Sequence, residues 1–203
     1  MKRKGFILVL VLTLLCCLFG CQKKEEMDIR QIQTSRLQRA GTVSELQENS
    51  DLIVVVTPKS QENILSYYSD GNIAFGYTKT AVVVSEVLKG DVSIGDTIWV
   101  TEECYTTDNG SVLWTQQGYL PMQIDERYLL FLMRYSDTKT DYAGMYYPAE
   151  LEYGKYLLGI QDGADDIHNS AASAEELQIG PGGDLEKYGS WRQEVAALYP
   201  EVF

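Results

Sequence analysis

Tyr128-Leu129-Leu130-Phe131-Leu132-Met133 is an apolar run with no polar interruption, and it constrains the fold more than any other segment. A half-buried strand alternates apolar and polar residues, whereas an unbroken run needs cover on both faces. Six residues make fewer than about two helical turns, which is marginal as a helix, and nothing extends the run. It therefore reads as a central strand of a sheet or barrel with another layer packed outside it.

The remaining pattern is also β-rich. Leu52 to Thr57 is expected as a strand ended by Pro58, because proline cannot donate to a ladder. Residues 59–72 read as a polar connection carrying the turn Asp70-Gly71-Asn72. Ile73 to Val87 is rich in β-branched and aromatic side chains, and its Ala81-Val82-Val83-Val84 run implies burial on both faces or a bulge. Thr97 to Thr101 places Ile98 and Val100 on one face and Trp99 on the other. Asp108-Asn109-Gly110 is the strongest hairpin signal, joining Glu103–Thr106 to Ser111–Thr115. Tyr142 to Tyr147 and Tyr153 to Ile160 complete the strands.

Short helices are expected at Ser44–Glu48, with a Ser44/Gln47 capping box, and at Ser173–Leu177, with Ser173 and Glu176. A last helix, capped by Asp184, carries Leu185, Tyr188, Trp191, Val195, Leu198 and Tyr199 as one stripe. The fold class is mainly β: a small barrel or sandwich with a short N-terminal helix and a C-terminal amphipathic helix.

The N-terminus reads as a processing segment. Lys2, Arg3 and Lys4 precede an apolar stretch from Phe6 to Phe19, shorter than the roughly 20 residues that cross a bilayer. Leu18-Phe19-Gly20-Cys21 then resembles the lipobox of bacterial lipoproteins. The resemblance implies cleavage before Cys21, diacylglycerol on its sulfur, palmitate-type acyl chains, and anchoring on the extracytoplasmic face of the cell membrane. Two acyl chains supply the two signals that stable anchoring takes. The alternatives are an uncleaved membrane helix or secretion after cleavage elsewhere. The expected organisation is a signal peptide (1–20), a lipidated polar spacer (21–42), a barrel domain (43–160), and a C-terminal loop and helix packed on the barrel (161–203).

Charge and cysteine usage narrow the function classes. Residues 21–203 keep 14 of the 17 basic residues and all 29 acidic ones, a formal charge of −15. Such a surface opposes nucleic acid and anionic lipid headgroups. Beyond the lipidated Cys21 only Cys104 remains after processing, so no disulfide staples the domain, and Cys104 reads as a small buried residue.

A second resemblance covers Ser44 to Met133. Leu46 and Ser50-Asp51 precede the valine-rich Leu52–Val56, and Val87-Leu88-Lys89-Gly90 makes a turn. Gly95 precedes Thr97-Ile98-Trp99-Val100, and Glu126 precedes Tyr128-Leu129-Leu130-Phe131-Leu132. This order is similar to the netrin-like and tissue-inhibitor-of-metalloprotease domains, and the resemblance implies an OB-like five-stranded barrel. The inhibitor family's disulfide cysteines are missing and Cys21 would be blocked by lipid, so protease inhibition is not carried over.

No metalloprotease, CxxC, phosphate-loop or GxSxG motif occurs, and no cofactor is expected. His168 lies in a polar segment. Asp162, Asp165 and Asp166 are a weak calcium candidate without EF-hand spacing. For a wall-polymer hydrolase the candidate carboxylates are Asp125, Glu126, Glu150 and Glu152, by residue type alone. Fourteen Tyr and three Trp favour a different reading, since such rings combine apolar area with a polar tip. A non-enzymatic module binding a protein or a cell-wall glycan is expected, through Tyr142, Tyr146, Tyr147, Trp114 and Tyr119. A surface protein without a specific ligand is the other alternative.

Overall fold

The computed structural model describes residues 27–32, 40–137, 139–160 and 173–203. Among the described residues nine strands form two sheets: β1 (Asp28–Gln31), β2 (Leu52–Tyr67), β3 (Ile73–Lys89), β4 (Thr97–Glu102), β5 (Cys104–Thr107), β6 (Val112–Thr115), β7 (Tyr128–Arg134), β8 (Tyr146–Pro148) and β9 (Lys155–Leu157). Helix α1 is Val43–Asn49 and helix α2 is Leu185–Leu198.

The larger sheet closes on itself. Its order is β2-β3-β4-β8-β7-β9, and β2 also pairs with β7 along Leu52–Val56. The ring β2-β3-β4-β8-β7 is antiparallel except at β4–β8, a parallel junction made by the single pair Val100↔Tyr146. This is a five-stranded, partly open OB-like barrel. The smaller sheet, β1-β6-β5, has a parallel β1–β6 pair and an antiparallel β5–β6 hairpin.

Side-chain alternation in β2 and β7 separates two apolar layers. Leu52, Val54, Val56, Tyr128, Leu130 and Leu132 point into the barrel with Val82, Val84, Ile98 and Val100. Ile53, Val55, Leu129 and Phe131 point outward, where Val43 and Leu46 of α1 and Tyr188, Trp191 and Val195 of α2 cover them. That outer layer is why the Tyr128–Met133 run needs no polar positions. Each such side chain contributes about 1.5–3 kcal/mol of burial.

Several local expectations change. Pro58 does not end β2; the strand runs on through Tyr67, and the stretch expected as a loop is half of a long hairpin with β3. The β7 partner stops at Val56↔Tyr128, and the register shifts between Pro58 and Ser60, so the missing proline N–H falls at a bulge. The α1 cap is Thr42, not Ser44: Thr42 Oγ1 accepts from Glu45 N, and the Glu45 carboxylate accepts from Gly41 N at 2.6 Å. Residues 28–31, expected within the spacer, form β1 against β6. The Tyr142–Tyr147 and Tyr153–Ile160 segments supply only the three-residue strands β8 and β9. Ser173 and Glu176 do exchange hydrogen bonds, but they close a turn instead of a helix.

Asp184 caps α2 as expected, accepting from Lys187 N at 3.0 Å. The buried stripe is Tyr188, Trp191, Arg192 and Val195, while Leu185 and Leu198 are exposed. Polar groups fix the docking. Tyr188 donates to the Lys155 carbonyl and Arg192 Nη1 to the Leu157 carbonyl, both at 2.8 Å, so the helix is bonded to β9. Among the described residues, no helix is long and apolar enough to cross a membrane.

Candidate functional site

Three features concentrate chemistry: a row of aromatic rings, a groove between two hairpins, and a small acidic cleft beneath α2.

The row joins β3 to the segment between β7 and β8. Phe75 and Tyr77 lie 5.6 Å apart between centroids, and Tyr142 touches both, at 6.4 and 5.3 Å. Tyr135 then stacks on Tyr142 at 4.7 Å and meets Tyr147 at 4.7 Å. Pairs at these separations are mutually attractive, so the rings hold one another in place. Phe75 is 49% exposed, and Tyr142 and Tyr147 are half-buried. Burial pushes the Tyr142 hydroxyl up to about 12, with the Tyr77, Tyr135 and Asp141 neighbours adding to it. It stays protonated at neutral pH and can donate a hydrogen bond. Tyr67 and Tyr68, at the tip of the same long hairpin, are more than half exposed.

The groove lies between the β2–β3 tip and the β5–β6 hairpin, and encloses about 1030 Å³. Trp114 and Tyr105 are cross-strand partners with nearly parallel rings, and Arg30 of β1 lies over Trp114 at 5.5 Å. Trp114 Nε1 donates to Thr107 Oγ1 at 3.1 Å. The Asn63 amide brackets the Thr106 backbone with one bond in each direction, tying the two hairpins together. Gly76 is required here, since a Cβ at that position would stand 2.6 Å from the Tyr105 ring.

The acidic cleft holds about 360 Å³ and is lined by Gln117, Glu150, Leu151, Glu152, Tyr153, Gly182, Asp184 and Lys187. It is built by the 3-10 turn Leu151–Gly154, the start of α2 and a glycine-rich turn. Gly118 makes room for that turn: Gly180 N donates to the Gly118 carbonyl at 2.8 Å, and a Cβ on Gly118 would meet the Gly183 backbone at 2.5 Å. Glu152 is 2% exposed, and burial raises its carboxyl to about 7, against the opposing pull of Lys155 and Lys187.

Between these surfaces lies a buried polar network. Glu102 is completely buried at the inner end of β4. Its Oε1 accepts from Thr80 Oγ1 at 2.5 Å and Gln61 Nε2 at 3.2 Å; its Oε2 accepts from Tyr119 OH at 2.7 Å and Met122 N at 2.8 Å. Nearby, the Lys155 ammonium donates to the Leu120 carbonyl and sits 4.4 Å from the Tyr119 ring centre. Burial lowers the Lys155 ammonium to about 8, while Glu102, Cys104 and Glu152 pull it the other way. Cys104 is buried beside Thr78, and burial pushes its thiol far up.

The expected site residues therefore separate. Tyr142 and Tyr147 belong to the row, and Trp114 to the groove. Tyr119 is 0% exposed and Tyr146 is 8% exposed, so neither offers a surface for binding: Tyr119 is a donor to Glu102 and Tyr146 packs inside the barrel. Of the carboxylates, Asp125 is exposed and paired with Lys59 at 2.7 Å, and Glu126 is exposed. Glu150 and Glu152 line one cleft. Cys21, Asp162, Asp165, Asp166 and His168 lie outside the described residues.

Glu102 and Lys155 have no motif around them. The strand alternation did carry a signal for Glu102, which falls on the inward face with Ile98 and Val100. Phe75, Tyr77 and Tyr135 meet Tyr142, and Tyr105 meets Trp114, only through strand pairing and loop return. Comparison with protein-family models finds no match, and comparison with curated proteins finds none either.

Proposed function

We propose that this chain is an extracytoplasmic lipoprotein, held to the membrane by diacylglyceryl-Cys21, whose barrel presents an aromatic surface to a protein or cell-wall glycan partner. The row Phe75–Tyr77–Tyr142–Tyr135–Tyr147 carries the reading. Rings already packed on one another lose little side-chain entropy on binding, and aromatic residues with polar tips are enriched where partners dock. The formal charge of −15 over residues 21–203 argues against nucleic acid and anionic lipid as that partner.

Two measurements test it. Labelled palmitate should enter the wild-type chain and not Cys21→Ser, which should leave the membrane fraction. Crosslinking from intact cells should recover a reproducible protein or glycan with wild type and lose it with Phe75→Ala combined with Tyr142→Ala. Equal recovery with the double variant, or palmitate in Cys21→Ser, contradicts the reading.

One observation favours a second reading, a wall-polymer hydrolase: Glu150 and Glu152 line one cleft, and Glu152 is held near neutrality, where a general acid works. Release of soluble fragments from purified cell wall, abolished by Glu152→Gln, is the result it requires.

A further inference from the structure

The point where a tether joins a domain decides which end of that domain meets the membrane. Strand β1 begins at Asp28, whose N–H donates to the Ser111 carbonyl at 2.9 Å, so it starts beside the β5–β6 turn. Cys21 stands seven residues earlier. Seven residues reach at most about 25 Å, at ~3.6 Å each. A domain of this size is about 40 Å across. A bilayer that holds Cys21 therefore keeps the start of β1 near its surface. Turning the domain over would lift Asp28 beyond the reach of the tether.

The same end carries the tip of the β2–β3 hairpin. Outward of the pair Asn63↔Thr78, no third strand joins β2 or β3 among the described residues, so the hairpin projects as a two-stranded ribbon. The Asn63 side chain bonds both ways with the Thr106 backbone, at 2.8 and 3.0 Å, and braces the ribbon on β5. From that brace β2 runs on to Tyr67, about 13 Å at ~3.3 Å per residue, while β5 turns back just after Thr107. The hairpin tip therefore leads at this end. A two-stranded ribbon has no core of its own and is marginal in water, so its projection calls for a reason.

The composition of the tip restricts what it meets. From Ile64 to Gly76 the one charged residue is Asp70, so the acidic charge of the chain lies elsewhere. Tyr67 and Tyr68 are 59% and 62% exposed, and Met27, beside the start of β1, is 47% exposed. Single exposed apolar side chains are ordinary, but a group of them at one end marks a contact surface. Tyrosine suits the boundary between water and hydrocarbon, where the ring is shielded and the hydroxyl stays wet.

We propose that the β2–β3 tip is a membrane-contact surface that seats Tyr67 and Tyr68 among the headgroups of the bilayer holding Cys21. This rests on the lipid anchor proposed above. It does not use the aromatic row, to which neither tyrosine belongs. The tip then fixes the orientation of the barrel over the membrane, which a tether alone leaves free to swivel.

The test uses the full lipidated chain reconstituted into phosphatidylcholine vesicles, with a nitroxide on one introduced cysteine. Ser69→Cys and Ala74→Cys, exposed on the two sides of the tip, keep both tyrosines; Ser93→Cys, exposed at the far end of β3, is the reference. Cys104 is buried and takes no label. Collisions with oxygen, which concentrates in bilayers, are compared with collisions with an aqueous nickel chelate. The oxygen-to-nickel ratio should be severalfold higher at Ser69→Cys and Ala74→Cys than at Ser93→Cys. Adding Tyr67→Ser and Tyr68→Ser should bring both down to the Ser93→Cys level. Tip labels that match Ser93→Cys, or that ignore the loss of both tyrosines, overturn the proposal while the anchor stands. A chain that stays in the supernatant overturns the anchor and this proposal together.

Discussion

Replacing Glu102 by Gln is the sharpest test of what ties the connection between β6 and β7 to the larger sheet. The carboxylate accepts four hydrogen bonds, two on each oxygen, inside a core it shares with no solvent. Glutamine keeps the shape but offers one acceptor oxygen and one NH₂. The backbone N–H of Met122 cannot become an acceptor, so the amide oxygen must stay with Tyr119 and Met122. The NH₂ then faces Thr80, whose hydroxyl can turn to accept it, and the Gln61 amide, which must flip or lose its bond. All remaining bonds to this site lose their charge assistance. A bond to a charged group contributes about 1.5–3 kcal/mol and a neutral one about 0.5–1.5; the loss over four bonds is partly offset by the desolvation cost of a buried charge that Gln avoids, which leaves a net loss of about 2 kcal/mol. At this chain length that corresponds to roughly 4–8 °C in Tm. Glu102→Leu leaves three buried donors unsatisfied and should cost about 3–6 kcal/mol. The assay is urea denaturation followed by tyrosine and tryptophan fluorescence, with Tyr119→Phe and the double variant completing a cycle. Coupling between Glu102 and Tyr119 of about 1 kcal/mol or more is expected. A Glu102→Gln protein within about 0.5 kcal/mol of wild type would refute the reasoning, because it would mean that the four donors are satisfied equally well by water.

Four further outcomes follow from the same geometry. Glu152 has a carboxyl raised from 4.5 to about 7 by burial, so the folded state holds its proton longer than the unfolded state; stability should fall as pH rises between those values, and Glu152→Gln should flatten the fall in denaturation curves. Lys155 runs in the opposite sense: lowered from 10.5 to about 8, it should make stability rise with pH across that window, and Lys155→Met should remove the rise. Cys104 should be inert to a thiol reagent in the native protein and react once in denaturant, since a buried thiol pushed far up supplies no thiolate; rapid native labelling would contradict its burial. Thr42→Ala removes the oxygen that caps α1 and should cost about 1 kcal/mol by the same denaturation assay, whereas Ser44→Ala should be near neutral.

Periodicity and local chemistry were enough to read the β class, the doubly covered Tyr128–Met133 strand, the Asn109-Gly110 turn and the Asp184 cap. Each depends on interactions within a few residues, or on the simple requirement that an unbroken apolar run be buried on both faces. Asn109 and Gly110 both adopt positive φ, as their side chains permit. Pro58 shows where such reading stops. A proline ends a strand only if its missing N–H faces a partner, and whether β7 reaches that far is decided by a segment some seventy residues away. The length of β2 was therefore invisible locally. Tyr119 and Tyr146 make the same point about function: a tyrosine looks alike in sequence whether its hydroxyl meets solvent or a buried Glu102. The aromatic row, the Glu102 network and the Glu152 cleft each draw residues from strands or turns far apart in the chain. Local pattern determines which residues seek burial; only barrel closure and the docking of α2 determine which polar groups are left together when that burial is complete.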